Sequence, residues 1–185
     1  PGMTVLCPAS FAELRAMLSL ALYEIEGPVA IRYPRGGEGV YAACSTEPEV
    51  FLREGDALTV AASGTMINEA LAAAEVLSSE GFFCDVIKIG IASPLKTDLL
   101  FASLRKTGRF LIAEDVCAPG CLGERILAAA QQQGILLEGS RLLNLGEGIL
   151  PQGSVKDLLR TCALDGAGIA RAAKELLDKG TGPDE

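Results

Sequence analysis

The chain of 185 residues carries 24 acidic side chains against 16 Lys and Arg, a net charge of −8 with no long basic run, and this argues against a nucleic-acid or anionic-membrane partner. Hydrophobic residues make up 49%, enough for one good core or one domain plus part of another, yet no apolar run reaches the roughly 18 residues a membrane span needs. Histidine is absent, so no Ser-His-Asp or Cys-His centre can be built, and any proton chemistry falls to carboxylates and lysines or lies elsewhere.

Strand and helix alternate along the chain. Pro1-Gly2-Met3 runs straight into a short strand at 4–7, as expected of a piece of a longer polypeptide. Ser10 and Glu13 read as a capping box. The helix behind them carries Leu14, Met17, Leu18, Ala21, Leu22 and Ile25 on one apolar face. Gly27-Pro28 ends it, and 29–33 is the next strand. This βαβ unit is too small to cover its own sheet and needs further strands from upstream.

The second strand leads into the most informative stretch, Pro28-Val29-Ala30-Ile31-Arg32-Tyr33-Pro34-Arg35-Gly36. Pro34 fixes its own φ and drives Tyr33 towards extended geometry. Arg35 therefore stands at a strand end, with Gly36 behind it to allow a sharp turn. A guanidinium so placed suits an anion such as a phosphate, gripped by two parallel hydrogen bonds. A plain surface arginine stays open as the other reading.

Residues 37–55 read as a linker with one short strand near 49–52. Leu58-Thr59-Val60-Ala61-Ala62 is a continuous apolar run, as in a strand covered on both faces. Ser63-Gly64-Thr65 turns into an alanine-rich helix to about residue 80, with Ile67, Ala70, Leu71, Ala74 and Leu77 inward and Gly81 closing it. There follow a strand at 82–89, a helix from Thr97 or Asp98 to about 107, a strand at 109–113, a helix opened by Gly120 and Gly123 to about 133, and a strand at 142–145. Ser154 with Asp157 opens a short helix, Asp165 opens the last one to about 178, and 181–185 is a frayed tail. This order predicts an α/β fold with a mostly parallel sheet and helices on both faces.

Few residues carry chemistry by pattern alone. Ser63-Gly64-Thr65 lacks the P-loop and dinucleotide fingerprints and reads as a tight turn. Glu114-Asp115 sits at the carboxyl end of a strand, where α/β proteins place functional groups. Neighbouring strand side chains point to opposite faces, however, so a structural or interface role is favoured. Of the six cysteines, Cys84 reads as a buried thiol, and Cys117 and Cys121 lack Cys-x-x-Cys spacing. No zinc site is expected, and reduced thiols fit a cytoplasmic protein.

Together these landmarks resemble the 1-deoxy-D-xylulose 5-phosphate synthases, thiamine diphosphate enzymes of the transketolase family. Gly27-Pro28 through Gly36 is similar to the family's Gly-Pro-x-Ala-x-Arg-Tyr-Pro-Arg-Gly motif. Pro1-Gly2-Met3-Thr4-Val5-Leu6, Ala62-Ser63-Gly64-Thr65, Ser93-Pro94-Leu95, Glu114-Asp115 with Gly120 and Gly123, Leu145-Gly146, Pro151-Gln152-Gly153 and Leu164-Asp165-Gly166-Ala167-Gly168-Ile169 match further landmarks. Val116 stands where the family has Asn, Cys121 stands where it has Gly, and the stretch between Gly146 and Pro151 is about two residues short.

The resemblance implies a transketolase C-terminal-domain-like fold over 56–180, after a linker at 37–55 and the end of a pyrimidine-binding domain at 1–36. It implies an enzyme condensing pyruvate with glyceraldehyde 3-phosphate with loss of carbon dioxide, a homodimer in full length. The residue matching Arg35 binds the substrate phosphate, and those matching Arg32 and Tyr33 shape the strand end. Thiamine diphosphate and Mg2+ belong to upstream domains, so no cofactor is expected on this piece and no activity from it alone. The C-terminal part of a transketolase or of a 2-oxo acid dehydrogenase β subunit is one alternative. A non-catalytic dimerisation module is another, and a flavodoxin-like nucleotide binder is a distant third.

Overall fold

The structure is a computed structural model that describes residues 2–34 and 36–178. Fourteen elements are present among them: β1 (Thr4–Leu6), α1 (Phe11–Tyr23), β2 (Val29–Ile31), β3 (Glu49–Arg53), β4 (Thr59–Ser63), α2 (Met66–Ser79), β5 (Asp85–Ile89), β6 (Ile91–Ser93), α3 (Asp98–Thr107), β7 (Arg109–Ala113), α4 (Leu122–Gln132), β8 (Gly139–Leu143), α5 (Val155–Thr161) and α6 (Gly166–Asp178). They form two sheets, a small one in the order β2-β1-β6 and a large one in the order β3-β5-β4-β7-β8.

The large sheet is parallel except at its edge, where β3 runs antiparallel to β5. Its strands are covered on both faces because successive side chains alternate. Val60, Ala62, Val86, Leu111 and Ala113 face α2 and α6. Ala61, Ile87, Phe110 and Ile112 face α3 and α4. The α/β fold with helices on both faces is therefore as expected. Close approach explains two glycines: a Cβ at Gly166 would come within 2.8 Å of the Ala72 Cβ, and one at Gly123 within 2.6 Å of Leu142 Cδ2.

Several local expectations need correction. The strand expected at 82–89 begins only at Asp85. The preceding residues close α2, with Gly81 at φ +90° and Phe82 N donating to the Leu77 carbonyl at 3.0 Å. The strand expected at 142–145 lies at Gly139–Leu143. The short strand inside the 37–55 segment is β3, built into the large sheet by its pairing with β5.

The unforeseen element is β6. After β5 the chain passes Gly90 and leaves the large sheet for the small one, where β6 lies antiparallel to β1. Gly90 N donates to the Pro48 carbonyl and its own carbonyl accepts from Cys7 N, both at 2.8 Å. A Cβ at Gly90 would sit 2.5 Å from the Glu47 carbonyl oxygen, so the crossing requires glycine.

Helix α1 departs most from its expected face. Ser10 caps it as predicted, its Oγ accepting from Glu13 N at 3.0 Å. The buried side chains are Glu13 and Met17, while Leu18 and Leu22 are 44% and 72% exposed. Buried partners of Glu13 set this rotation. Lys88, inside the apolar strand β5, reaches its Oε1 at 2.5 Å, and Tyr41 donates its hydroxyl to the same oxygen at 2.7 Å. Ala9 N donates to Glu13 Oε2 at 2.8 Å. Burial first, then the hydrogen bond to Glu13, pushes the Tyr41 hydroxyl well above its usual pKa.

Candidate functional site

The carboxyl ends of β4 and β7 meet the small sheet at the end of β2, and this junction gathers Arg32, Ser63 and Glu114-Asp115. Arg32 N continues the ladder to the Leu6 carbonyl at 2.8 Å, and its side chain crosses to the segment after β7. There its Nη2 donates to the Asp115 carbonyl at 3.0 Å and to Asp115 Oδ1 at 2.6 Å. The pair is about one-third exposed, so its effect is to position the strand end rather than to stabilise the fold strongly. Tyr33 follows, 60% exposed and with no side-chain hydrogen bond among the described residues. Arg35 lies outside the described residues, as do Pro1 and the 181–185 tail.

Two cavities flank this strand end. One of about 290 Å³ opens between the start of α1 and Tyr33, Pro34, Gly36 and Gly37. The other, about 570 Å³, opens between Pro34, Gly36 and Gly37 and the start of α2, with Asp115 and Leu159 on its far wall. No described lysine or arginine lines either one. Two of the first α1 amides are already engaged: Phe11 N donates to Glu38 Oε1 at 2.6 Å, and Glu13 N to Ser10.

The carboxylates after β7 are structural, in line with the role favoured from the sequence. Glu114 is buried, and its two oxygens accept from Leu122 N and Gly123 N at 2.9 Å each. A carboxylate on the first amides of a helix is stabilised by hydrogen bonding and by the helix dipole. Asp115 is engaged by Arg32. Ser63-Gly64-Thr65 is a tight turn into α2, with Gly64 at φ +55° and no side-chain cap.

Sequence reasoning missed the Glu13–Lys88–Tyr41 cluster that joins the two sheets behind this junction. The available signal was Lys88 within Val-Ile-Lys-Ile, since a lysine buried in an apolar strand requires a paired anion.

Comparison with known proteins agrees with this architecture. The family model for the transketolase C-terminal domain matches residues 49–169. The 1-deoxy-D-xylulose-5-phosphate synthase of Chlorobium luteolum is 36% identical over 184 residues, covering 95% of this chain and 28% of the relative. That of Gloeobacter violaceus is 34% identical over 185 residues, covering 96% and 29%. The chain thus spans under a third of the length of these curated relatives. A solved structure described as a split-gene transketolase, inactive beta4 tetramer, superposes with a TM-score of 0.83 at 30% identity, covering 96% of this chain and 58% of that one. The R525L mutant transketolase of Pichia stipitis shares the fold, with a TM-score of 0.70 at 15% identity, covering 100% of this chain and 26% of that one. With the family model matched across the whole large sheet, the chain belongs to the transketolase C-terminal domain family.

Proposed function

We propose that the chain is the C-terminal portion of a 1-deoxy-D-xylulose 5-phosphate synthase, which condenses pyruvate with glyceraldehyde 3-phosphate and releases carbon dioxide. The observation that carries this reading is the 36% identity to such a synthase over 184 residues, spanning both sheets. In this reading 1–36 closes a pyrimidine-binding domain, the linker expected at 37–55 ends before β3, and the C-terminal domain of a cytoplasmic homodimer begins with that strand. Among the described residues no helix is long and apolar enough to cross a membrane.

Arg35 is assigned to the phosphate of glyceraldehyde 3-phosphate. The Arg32–Asp115 contact supports this by fixing the strand end from which Tyr33 and Pro34 lead to it. Arg32 and Tyr33 support that strand end and do not touch the reacting atoms. The described residues do not fit the Mg2+ that accompanies thiamine diphosphate. Magnesium requires oxygen ligands gathered around it. No described cluster of three or more candidate donors could hold a metal, and Glu114 and Asp115 are committed to α4 and Arg32. In this reading the cofactor site belongs to upstream domains, and this piece alone does not turn over.

Kinetics of the full enzyme test the assignment. Arg35→Ala should raise the KM for glyceraldehyde 3-phosphate about tenfold or more while leaving that for pyruvate unchanged, since a charge-assisted contact of 1.5–3 kcal/mol is lost. An unchanged KM for the aldehyde removes Arg35 from the site. Carbon dioxide release by the 185-residue piece supplied with both substrates, thiamine diphosphate and Mg2+ would overturn its inactivity.

A further inference from the structure

A third cavity, of about 260 Å³, lies between the end of β1 and the start of α4. Three of the six cysteines line it, Cys7, Cys117 and Cys121, together with Arg32 and Arg125. Arg125 has no ion-pair partner among the described residues; its Nη1 donates to the Ala92 carbonyl at 3.1 Å. No described cluster of three or more donors here is placed to hold a metal, so the chemistry these thiols offer is thiol–disulfide exchange.

The chain doubles back between Cys117 and Cys121. Cys121 N donates to the Ala118 carbonyl at 3.3 Å, with Pro119 and Gly120 (φ +77°) at the centre of the turn. Pro then Gly at these positions is the signature of a type II turn, which holds the Cα atoms of Ala118 and Cys121 within about 7 Å. Cys117 immediately precedes the turn, and its Sγ leans over it, 4.0 Å from the Pro119 carbonyl. Cys117 is exposed, whereas Cys121 is buried as the N-cap of α4.

We propose that Cys117 and Cys121 form a modification site for a small anionic disulfide. Cys117, as thiolate, attacks one sulfur of the reagent. The reagent's S–S bond breaks, one small thiolate leaves, and Cys117 carries a mixed disulfide. Cys121 gives its proton to solvent and attacks the Cys117 sulfur, expelling the second small thiolate. The two protein thiols lose two electrons and the reagent becomes two thiols. Arg125 supplies positive charge for the reagent and for the departing thiolates. Burial pushes the Cys121 thiol pKa up, which suits the resolving role rather than first attack. The resulting bond would lock the turn ahead of α4, next to the segment that holds Arg32.

The test uses the reduced 185-residue chain with oxidised glutathione and peptide mass spectrometry. Tryptic cleavage after Arg109 and Arg125 leaves both cysteines in one peptide. That peptide should lose the mass of two hydrogens. Cys121→Ser should trap one glutathione on Cys117, and Cys117→Ser should leave neither adduct nor cross-link. Arg125→Gln should slow the first step about tenfold with oxidised glutathione and leave it unchanged with neutral hydroxyethyl disulfide. A stable glutathione adduct on Cys117 in the parent protein, a Cys7–Cys121 bond, or a dithiol peptide while the exposed Cys44 reacts would overturn the proposal. If Cys121→Ser fails to fold, Cys117→Ser decides alone: its position is exposed, and a retained mass loss in that variant refutes the pairing.

Discussion

Lys88→Met should destabilise the protein by about 3 kcal/mol. Lys88 and Glu13 are both fully buried and 2.5 Å apart. Methionine fills much of the lysine volume, so the cost comes from the Glu13 carboxylate left without its cation. Removing one member of a buried ion pair typically costs 3–5 kcal/mol. The hydrogen bonds from Tyr41 and Ala9 survive and keep the loss at the low end of that range. At this chain length about 3 kcal/mol corresponds to a Tm lower by roughly 6–12 °C. Urea unfolding followed by circular dichroism measures it directly. Neutralising both partners, Glu13→Gln with Lys88→Met, should recover at least about 1 kcal/mol relative to the sum of the single variants, because residues in one ion pair are energetically coupled. A single-variant loss below about 1 kcal/mol, or strict additivity in the double variant, would refute the view that this pair acts as a buried charge couple.

Glu114→Ala should cost about 2 kcal/mol by leaving the first amides of α4 without their carboxylate, seen as a lower urea midpoint with an unchanged slope. Gly90→Ala should cost about 1–3 kcal/mol through overlap with the Glu47 carbonyl, with amide exchange rising first in β6; parent-like exchange there would contradict it. Burial, then the charges of Asp85 and Asp56, pushes the Cys84 thiol up from 9.0 to about 11. The folded state holds that proton more tightly than the unfolded state. The contribution is therefore fully present below pH 9 and is lost as pH rises from 9 to 11, by about 2–3 kcal/mol. Cys84→Ala should flatten that part of the pH–stability curve.

Elements whose determinants lie within a few residues of one another were legible in the sequence. Helix α2 is an example: its apolar spacing and Gly81 sit in one window, and Ile67, Ala70, Ala74 and Leu77 are buried as expected, while Leu71 is only half-buried and Met66 and Ala73 complete the face. What escaped was set from far along the chain. The face α1 buries is chosen by Lys88, 75 residues away. Strand β6 is three residues long and exists because β1 offers it an edge. Ser10, Ser154 and Asp165 cap their helices as expected, but the same distance effect hides the capping carboxylates supplied by other segments. Glu49 caps α3 through Leu99 N and Leu100 N, and Glu69 accepts from Gly166 N at the start of α6, 97 residues on. At the candidate site, the extended approach of Arg32 and Tyr33 to Pro34 was readable because proline constrains the backbone locally. Asp115, which holds Arg32 from 83 residues away, was not.

The passage of the chain through Gly90 into β6 has a consequence for how such proteins can be divided and recombined. The small sheet takes two strands from before the 37–48 segment and one from after it, so the stretch that looks like a hinge in sequence is not a seam in three dimensions. Cutting there would leave β6 without a neighbour and Lys88 without its counterion. A graft of the large sheet onto another scaffold should therefore bring β1, α1 and β2 with it, and the two sheets should melt in a single transition.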